Sequence, residues 1–305
     1  MVMRLPRPLL IVSNIIIDDL VLPDGTRRPG MLGGAATYAA IGAVGCWENV
    51  AVVAGVGSDF DCIVGDRLAR LGIRREGLLE RDSRTIRSSL VYRDDSERTE
   101  TPVFGTAHFE RMQLTPADVA QALLPAAGSY VFRDLASDFW DAFQQRRPEL
   151  GITLWELQAS VAGAQHWPRV RELLSSVEIF SLNSTEAAGL LGTRDERRVA
   201  GELLHAGARV VLLRMGAAGA LLATRQSSLR LYPPASTVID VTGAGNSFCG
   251  GFLAQWCATG GDLEAAGRAG AAAAALCMSV FGPPERIDKA ALAAWAAATR
   301  VEPNP

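Results

Sequence analysis

The chain has 305 residues, of which 49% are hydrophobic and 21% charged, with 30 glycines and a formal net charge of -3. This is the profile of a soluble globular protein, either one large domain or two small ones. Thirty basic residues against 33 acidic ones, with no basic block, exclude a concentrated cationic footprint for nucleic acid or an anionic membrane, so a small molecule is the expected partner.

The first apolar run, Leu9 to Ile17, ends in Asp18 and Asp19 instead of a small-residue cleavage site, and it is too short to span a bilayer. It reads as a buried first strand that Asp18 closes. A second strand starts at Val50 (VAVVAGVG). Ser88 to Phe104 has two strand-like stretches around the polar turn Asp94, Asp95, Ser96 and reads as an antiparallel hairpin, a lid or edge flap. Thr115 opens a predicted helix (TPADVAQALL) with Thr at the N-cap, Pro at N1 and Asp at N3. Further buried strands follow from Tyr130, Gly151, Val177 and Ala208, and a helix runs from Asp195 to Gly207. Strands that alternate with helices give an α/β, doubly wound, mostly parallel sheet. No linker or repeat divides the chain, so residues 1–305 are expected to form a single domain, with lid elements around 18–31 and 85–105.

The only lysine is Lys289, which excludes a Walker P-loop and argues against Schiff-base chemistry. The five cysteines form no CxxC pair and the three histidines no HExxH, so no zinc site is readable. Free cysteines in apolar stretches point to a reducing, cytoplasmic setting. The first strand leads into Asp18 without a GxGxxG turn, which argues against a nicotinamide dehydrogenase.

Ligands of open α/β sheets gather at strand carboxyl ends. The polar residues closing apolar runs are Asp18, Glu156, Asn183, Arg214 and Asp240; Glu156 and Arg214 read equally well as surface charges. The sharpest local signal is VIDVTGAGNSFCGGFLAQW (Val238 to Trp256). Phe248, Phe252, Leu253 and Trp256 fall on one helix face, and Gly243, Ala244 and Gly245 stand just before it. Open N–H groups at a positive helix end suit a phosphoryl group, although two such glycines also make a simple tight turn.

With its surroundings, this segment resembles the PfkB, or ribokinase-like, carbohydrate kinases. DVTGAGNSFCGGF (Asp240 to Phe252) follows that family's DTxGAGDxFxxGF signature except for Val241 and Asn246. LGGAATYAAIGAVG (Leu32 to Gly45) is similar to its di-glycine motif, NSTE (Asn183 to Glu186) to its NxxE, and VVLLRMGAAGALL to its strand and glycine turn before the ATP site. The resemblance implies a three-layer α/β/α sandwich with a small β lid, and transfer of the γ-phosphoryl group of ATP to a hydroxyl of a sugar-like or nucleoside-like molecule. It also implies a set of roles. Asp18, Gly33, Gly34 and Tyr38 (where the family usually has Asn) would bind the acceptor. Gly243, Ala244 and Gly245 would form the anion hole. Arg214, Gly216 and Gly219 would bind nucleotide, and Asn183 and Glu186 would organise Mg2+, although this pair also reads as a helix capping box. Asp240 and Thr242 resemble part of a monovalent-cation (K+) site, with a brace of the turn as the plainer role for Asp240. Pairing of two copies through the lid is a further implication.

The family's general base is an Asp at the position of Asn246, and a carboxamide is not basic. General-base assistance is worth about 10²–10⁴ in rate, whereas positioning and charge stabilisation, which dominate phosphoryl transfer, survive the change. Two readings follow: a kinase with a weakened base, or a nucleotide- or metabolite-binding protein. Restoring Asp at 246 is expected to raise transfer if proton removal limits the rate. The fungal killer-maintenance-type branch of the family resembles the chain in having Asn there, Tyr after the di-glycine motif, and a Trp-Glu pair like Trp155 and Glu156.

Overall fold

The computed structural model describes residues 5–92 and 98–304. The strands are β1 (Leu9–Val12), β2 (Ile16–Val21), β3 (Arg27–Gly33), β4 (Val50–Gly57), β5 (Ile73–Asp82), β6 (Arg87–Tyr92), β7 (Arg98–Pro102), β8 (Gly128–Arg133), β9 (Ile152–Leu157), β10 (Ile179–Asn183), β11 (Val210–Arg214), β12 (Ala220–Thr224), β13 (Ser228–Tyr232) and β14 (Arg300–Pro303). Ten of them form one sheet in the order β14-β13-β12-β11-β10-β9-β8-β1-β4-β5, parallel from β11 to β5 and antiparallel from β11 to β14.

Side chains of the central strands alternate between two apolar layers, which is why these runs are continuously hydrophobic. Leu9 and Ile11 enter one layer with the helices Ala35–Val44 and Ala244–Thr259. Leu10 and Val12 enter the other with the helices Ser137–Arg146 and Trp167–Leu174. The result is the expected three-layer α/β/α sandwich. The two helices of the first layer cross so closely that a Cβ on Gly250 would collide with the carbonyl of Ala39. No helix among the described residues is long and apolar enough to cross a membrane.

A second, smaller sheet, here called the lid, has the order β3-β2-β6-β7 and is built from residues 16–33 and 87–102. β6 and β7 pair antiparallel, as the hairpin reading requires; its turn, Asp94 to Ser96, lies outside the described residues. Two expectations are corrected. The run Leu9 to Ile17 is not one strand: it breaks at residues 13–15, so β1 joins the main sheet and β2 the lid. Asp18 therefore sits inside β2 and does not close the first strand. The helix expected from Thr115 is a pair of short 3-10 turns, Pro116–Asp118 and Gln121–Leu123. The extended backbone of Val119 (ψ 120°) separates them, and Val119 and Leu123 both enter the core. The Thr115 cap does form, with the Asp118 carboxylate accepting the Thr115 N–H at 2.8 Å.

Candidate active site

Gly243 caps the helix Ala244–Thr259 with φ +75°, the left-handed region that favours glycine. A side chain there would also run into the ring of Tyr38, so Gly243 is required by conformation and by space. Asp240 braces the preceding turn: its two oxygens accept the N–H groups of Thr242 (2.9 Å) and Gly282 (3.1 Å). It lies in the loop after β13, not at a strand end. The Ala244 N–H bonds back to the Val241 carbonyl at 3.3 Å, and the Ser247 N–H closes the first turn on Gly243 O at 2.8 Å. The N–H groups of Gly245 and Asn246 precede that first closed turn.

Two cavities meet at this helix end. One, of about 340 Å³, is lined by Asn14, Asp18, Gly34, Tyr38, Glu100, Phe109, Phe132, Gln158, Thr242, Gly243 and Asn246, among others. The other, of about 540 Å³, is more apolar; Pro233, Pro234, Val238, Val241 and Met278 line it together with Asn183, Arg214, Gly216, Gly219, Ala244 and Gly245. Successive residues of one turn thus face different cavities, Gly243 and Asn246 the first and Ala244 and Gly245 the second. An anion held at these N–H groups would lie between two compartments.

Beneath the turn is a buried polar network. Arg214, at the end of β11, donates through Nε to Ser181 Oγ (3.0 Å), and its Nη2 lies 2.9 Å from Glu156 Oε1 and 3.6 Å from Glu186 Oε2. Burial works against its charge, but Glu156 and Glu186 more than offset it, so the guanidinium pKa is raised. Its remaining Nη1 lies against Gly245, where any side chain would displace it. Glu156 is only 2% exposed, which corrects the surface reading. Glu156 Oε2 accepts the Tyr130 hydroxyl at 2.7 Å and Asn246 Nδ2 at 3.2 Å, and Nδ2 also reaches the Tyr130 oxygen at 3.0 Å. Burial, and after it Glu156, pushes the Tyr130 phenol well above its usual range.

Asn183 and Glu186 form the capping box that their spacing allows. Asn183 Oδ1 accepts the N–H groups of Thr185 and Glu186, both at 2.9 Å, and Glu186 Oε2 accepts the Asn183 N–H at 2.7 Å. Burial raises the Glu186 pKa, with Arg214 opposing it. Among the described residues no three His, Cys, Asp or Glu side chains stand together as a metal site by themselves.

In the first cavity, Asp18 is buried and Gly33 lies against its carboxylate, leaving no room for a Cβ. Gly34, at φ +83°, caps the helix Ala35–Val44 and packs on the backbone of Asn14 and Ile16. Tyr38 is buried, and burial raises its phenol pKa as well. The structure therefore brings the sequence-derived residues to one place. Three of them line neither cavity: Gly33 contacts Asp18, and Glu186 and Asp240 stand behind the residues that do. Tyr130, Tyr92, Glu100 and Ser181 were not legible as site residues. For Tyr130 the signal available was a tyrosine in a buried strand, whose hydroxyl needs a partner; nothing in the polar stretch around Glu100 marks it.

The sequence matches the pfkB family of carbohydrate kinases over residues 26–290. It is 27% identical over 283 residues to the cytidine kinase of Thermococcus kodakarensis, covering 86% of this chain and 92% of that protein. It is 25% identical over 301 residues to an uncharacterized protein of Schizosaccharomyces pombe, covering 85% and 81%. Among solved structures, adenosine kinase from Sinorhizobium meliloti superposes with a TM-score of 0.79 at 21% identity, covering 95% of this chain and 99% of that one. A putative ribokinase II from E. coli in complex with ATP and Mg2+ superposes with a TM-score of 0.76 at 18% identity, covering 96% and 99%. The ribokinase-like fold, the signature at Asp240 to Phe252 and the family match over most of the chain agree: the protein belongs to the pfkB family of carbohydrate kinases.

Proposed function

We propose that the protein transfers the γ-phosphoryl group of ATP to a hydroxyl of an uncharged sugar-like or nucleoside-like small molecule. The observation that carries this reading is the helix end at Gly243 to Asn246, which faces both cavities within one turn. ATP would place its base in the apolar cavity and its phosphates toward Gly245 and Arg214, with Gly216 and Gly219 beside the nucleotide. The acceptor would occupy the other cavity with its hydroxyls on Asp18. Among the described lining residues of that cavity are two carboxylates, Asp18 and Glu100, which favour a neutral acceptor over a sugar phosphate. The cytidine and adenosine kinases among the similar proteins are in keeping with a nucleoside-like acceptor.

A carboxylate and a carboxamide beside the phosphate end, Glu186 and Asn183, suit Mg2+ held largely through water and phosphate oxygens, because Asn183 Oδ1 is already occupied by two N–H groups. Bound Mg2+ supplies charge neutralisation on the transferring phosphoryl group. Asp240 and Thr242 carry the weaker claim to K+, since both Asp240 oxygens brace the turn. The chain acts as one catalytic domain closed by the four-stranded lid, and two copies pair through that lid. The five free cysteines support a reducing, cytoplasmic setting. With Asn246, Tyr38 and the Trp155-Glu156 pair the chain sits with the fungal killer-maintenance-type branch, and the S. pombe relative supports this.

The second reading, a binding protein with little turnover, draws on Asn246, which cannot take a proton. The two are separated by ADP release from ATP and Mg2+ over a panel of free sugars and nucleosides. Stimulation by any member supports the kinase. Tight ATP binding with no stimulation supports the binding protein.

A further inference from the structure

The Asn at 246 is not an isolated loss of a carboxylate, because a carboxylate lies directly beneath it. Glu156 is buried, and four groups face it: the Tyr130 hydroxyl from β8, the Arg214 guanidinium from β11, and Asn246 and Cys249 from the helix Ala244–Thr259. A carboxylate only accepts hydrogen bonds, so the Asn246 carboxamide must turn its Nδ2 toward Glu156. The planar amide then leaves Oδ1 on the opposite side, and Asn246 lines the acceptor cavity.

We propose that Glu156 and Asn246 form a displaced charge pair: Glu156 is a positioning residue that holds the site's negative charge one layer below the cavity and turns Asn246 so that its Oδ1 receives the acceptor hydroxyl as a hydrogen-bond donor. The pair explains why Asn replaces Asp in this chain. An Asp at 246 would set a second carboxylate within hydrogen-bond distance of Glu156, at the 3.2 Å now spanned by Nδ2. Two carboxylates that close, one of them buried as Glu156 is, disfavour double ionisation. One guanidinium, Arg214, already serves both Glu156 and Glu186, and a third carboxylate would exceed what it offsets. The structure therefore changes the expectation for Asn246→Asp: alone, it creates a carboxylate pair sharing a proton and does not install a free base. The inference rests on the phosphotransferase reading of the site, but its test separates from that reading.

The test is a charge swap in the full-length protein: wild type, Glu156→Gln, Asn246→Asp and the double variant. The swap keeps the charge count of the wild type, whereas each single variant alters it. Urea midpoints are expected to fall in both single variants and to recover most of that loss in the double variant. The deficit of Asn246→Asp should grow as pH rises above the ordinary carboxylate range, since the unfolded chain then releases the proton that the folded pair still holds. ADP release from ATP and Mg2+, with ribose, fructose, cytidine or adenosine as acceptor, should follow the same order of loss, loss and recovery; a merely structural contact would not restore turnover. If a single variant does not fold, recovery of folding in the double variant is the same positive result. Additive losses in the double variant, or Asn246→Asp with the midpoint of the wild type at every pH, would overturn the pairing. Recovery of the midpoint with no acceptor-stimulated ADP release from any of the four proteins would support the pairing and contradict the phosphotransferase reading.

Discussion

The hydroxyl of Tyr92, at the end of lid strand β6, lies 2.9 Å from the hydroxyl of Thr242, the residue just before the glycine that caps the helix Ala244–Thr259. The four-stranded sheet is thus tied to the start of the helix Ala244–Thr259 by a side-chain hydrogen bond. Tyr92→Phe removes it at a cost of about 1 kcal/mol, which should act on lid closure more than on global stability. Amide hydrogen exchange in β2, β3 and β6 is expected to speed up while exchange in β8 to β11 stays unchanged. Equal acceleration in both sheets would show that Tyr92 supports the whole fold and does not tie down the lid in particular.

Arg214 is expected to serve the fold and the nucleotide together. Removing it leaves Glu156 and Glu186 buried without their guanidinium, and breaking a buried pair from one side costs roughly 3–5 kcal/mol. Arg214→Ala should therefore unfold at lower urea and also bind ATP more weakly, by a kcal/mol or more if Nη1 contacts phosphate. Calorimetry at a urea-free temperature where the variant is folded reads the second effect. Lowered stability with unchanged ATP affinity would assign Arg214 to the fold alone.

Glu186 sets a pH dependence with a definite sign. Burial raises its folded pKa above the ordinary 4.5, with Arg214 pulling the other way. A carboxyl with a raised folded pKa binds its proton more tightly in the folded state, so its contribution is complete at acid pH and is lost as pH climbs from 4.5 through the raised value. Glu186→Gln has no such slope. Its urea midpoint, relative to wild type, should rise across that window; a constant offset would show that the folded and unfolded pKa values coincide.

Gly243 should tolerate no side chain. Gly243→Ala places a Cβ at φ +75°, at a cost of about 1–2 kcal/mol, and drives it into Tyr38. Pairing it with Tyr38→Ala should remove the collision but not the backbone strain, so the double variant is expected to be more stable than the sum of the singles predicts. Strict additivity of the two would mean that the ring and the cap do not touch.

The sheet was legible because its strands are buried on both faces and stand out as apolar runs: Val50 to Gly57 is a single strand with the expected limits. The same property hid the break after Val12. Residues 9–17 are nearly all apolar, and nothing local marks Asn14, itself buried, as the point where the chain leaves one sheet for another. The expected helix from Thr115 had a correct cap and failed one turn later, where tertiary burial of Val119 and Leu123 outweighed local propensity. Of the residues named from spacing and resemblance, Asp18, Gly34, Gly243 and Asn246 line one cavity, Asp18 from a strand other than the one expected. Glu156 could not be separated from a surface charge, because what distinguishes it is Tyr130, Arg214 and Asn246, which come from three other elements. Sequence order does not report such convergence.

The most direct test of the central claim is acceptor-stimulated ADP release by the wild-type protein with ATP and Mg2+, read over free sugars, nucleosides and sugar phosphates in parallel. The account predicts stimulation above the ATP-only rate by at least one uncharged sugar or nucleoside, and none by fructose 6-phosphate. An ATP-only rate for every acceptor, despite ATP binding by calorimetry, or stimulation by the phosphorylated sugar alone, would contradict it.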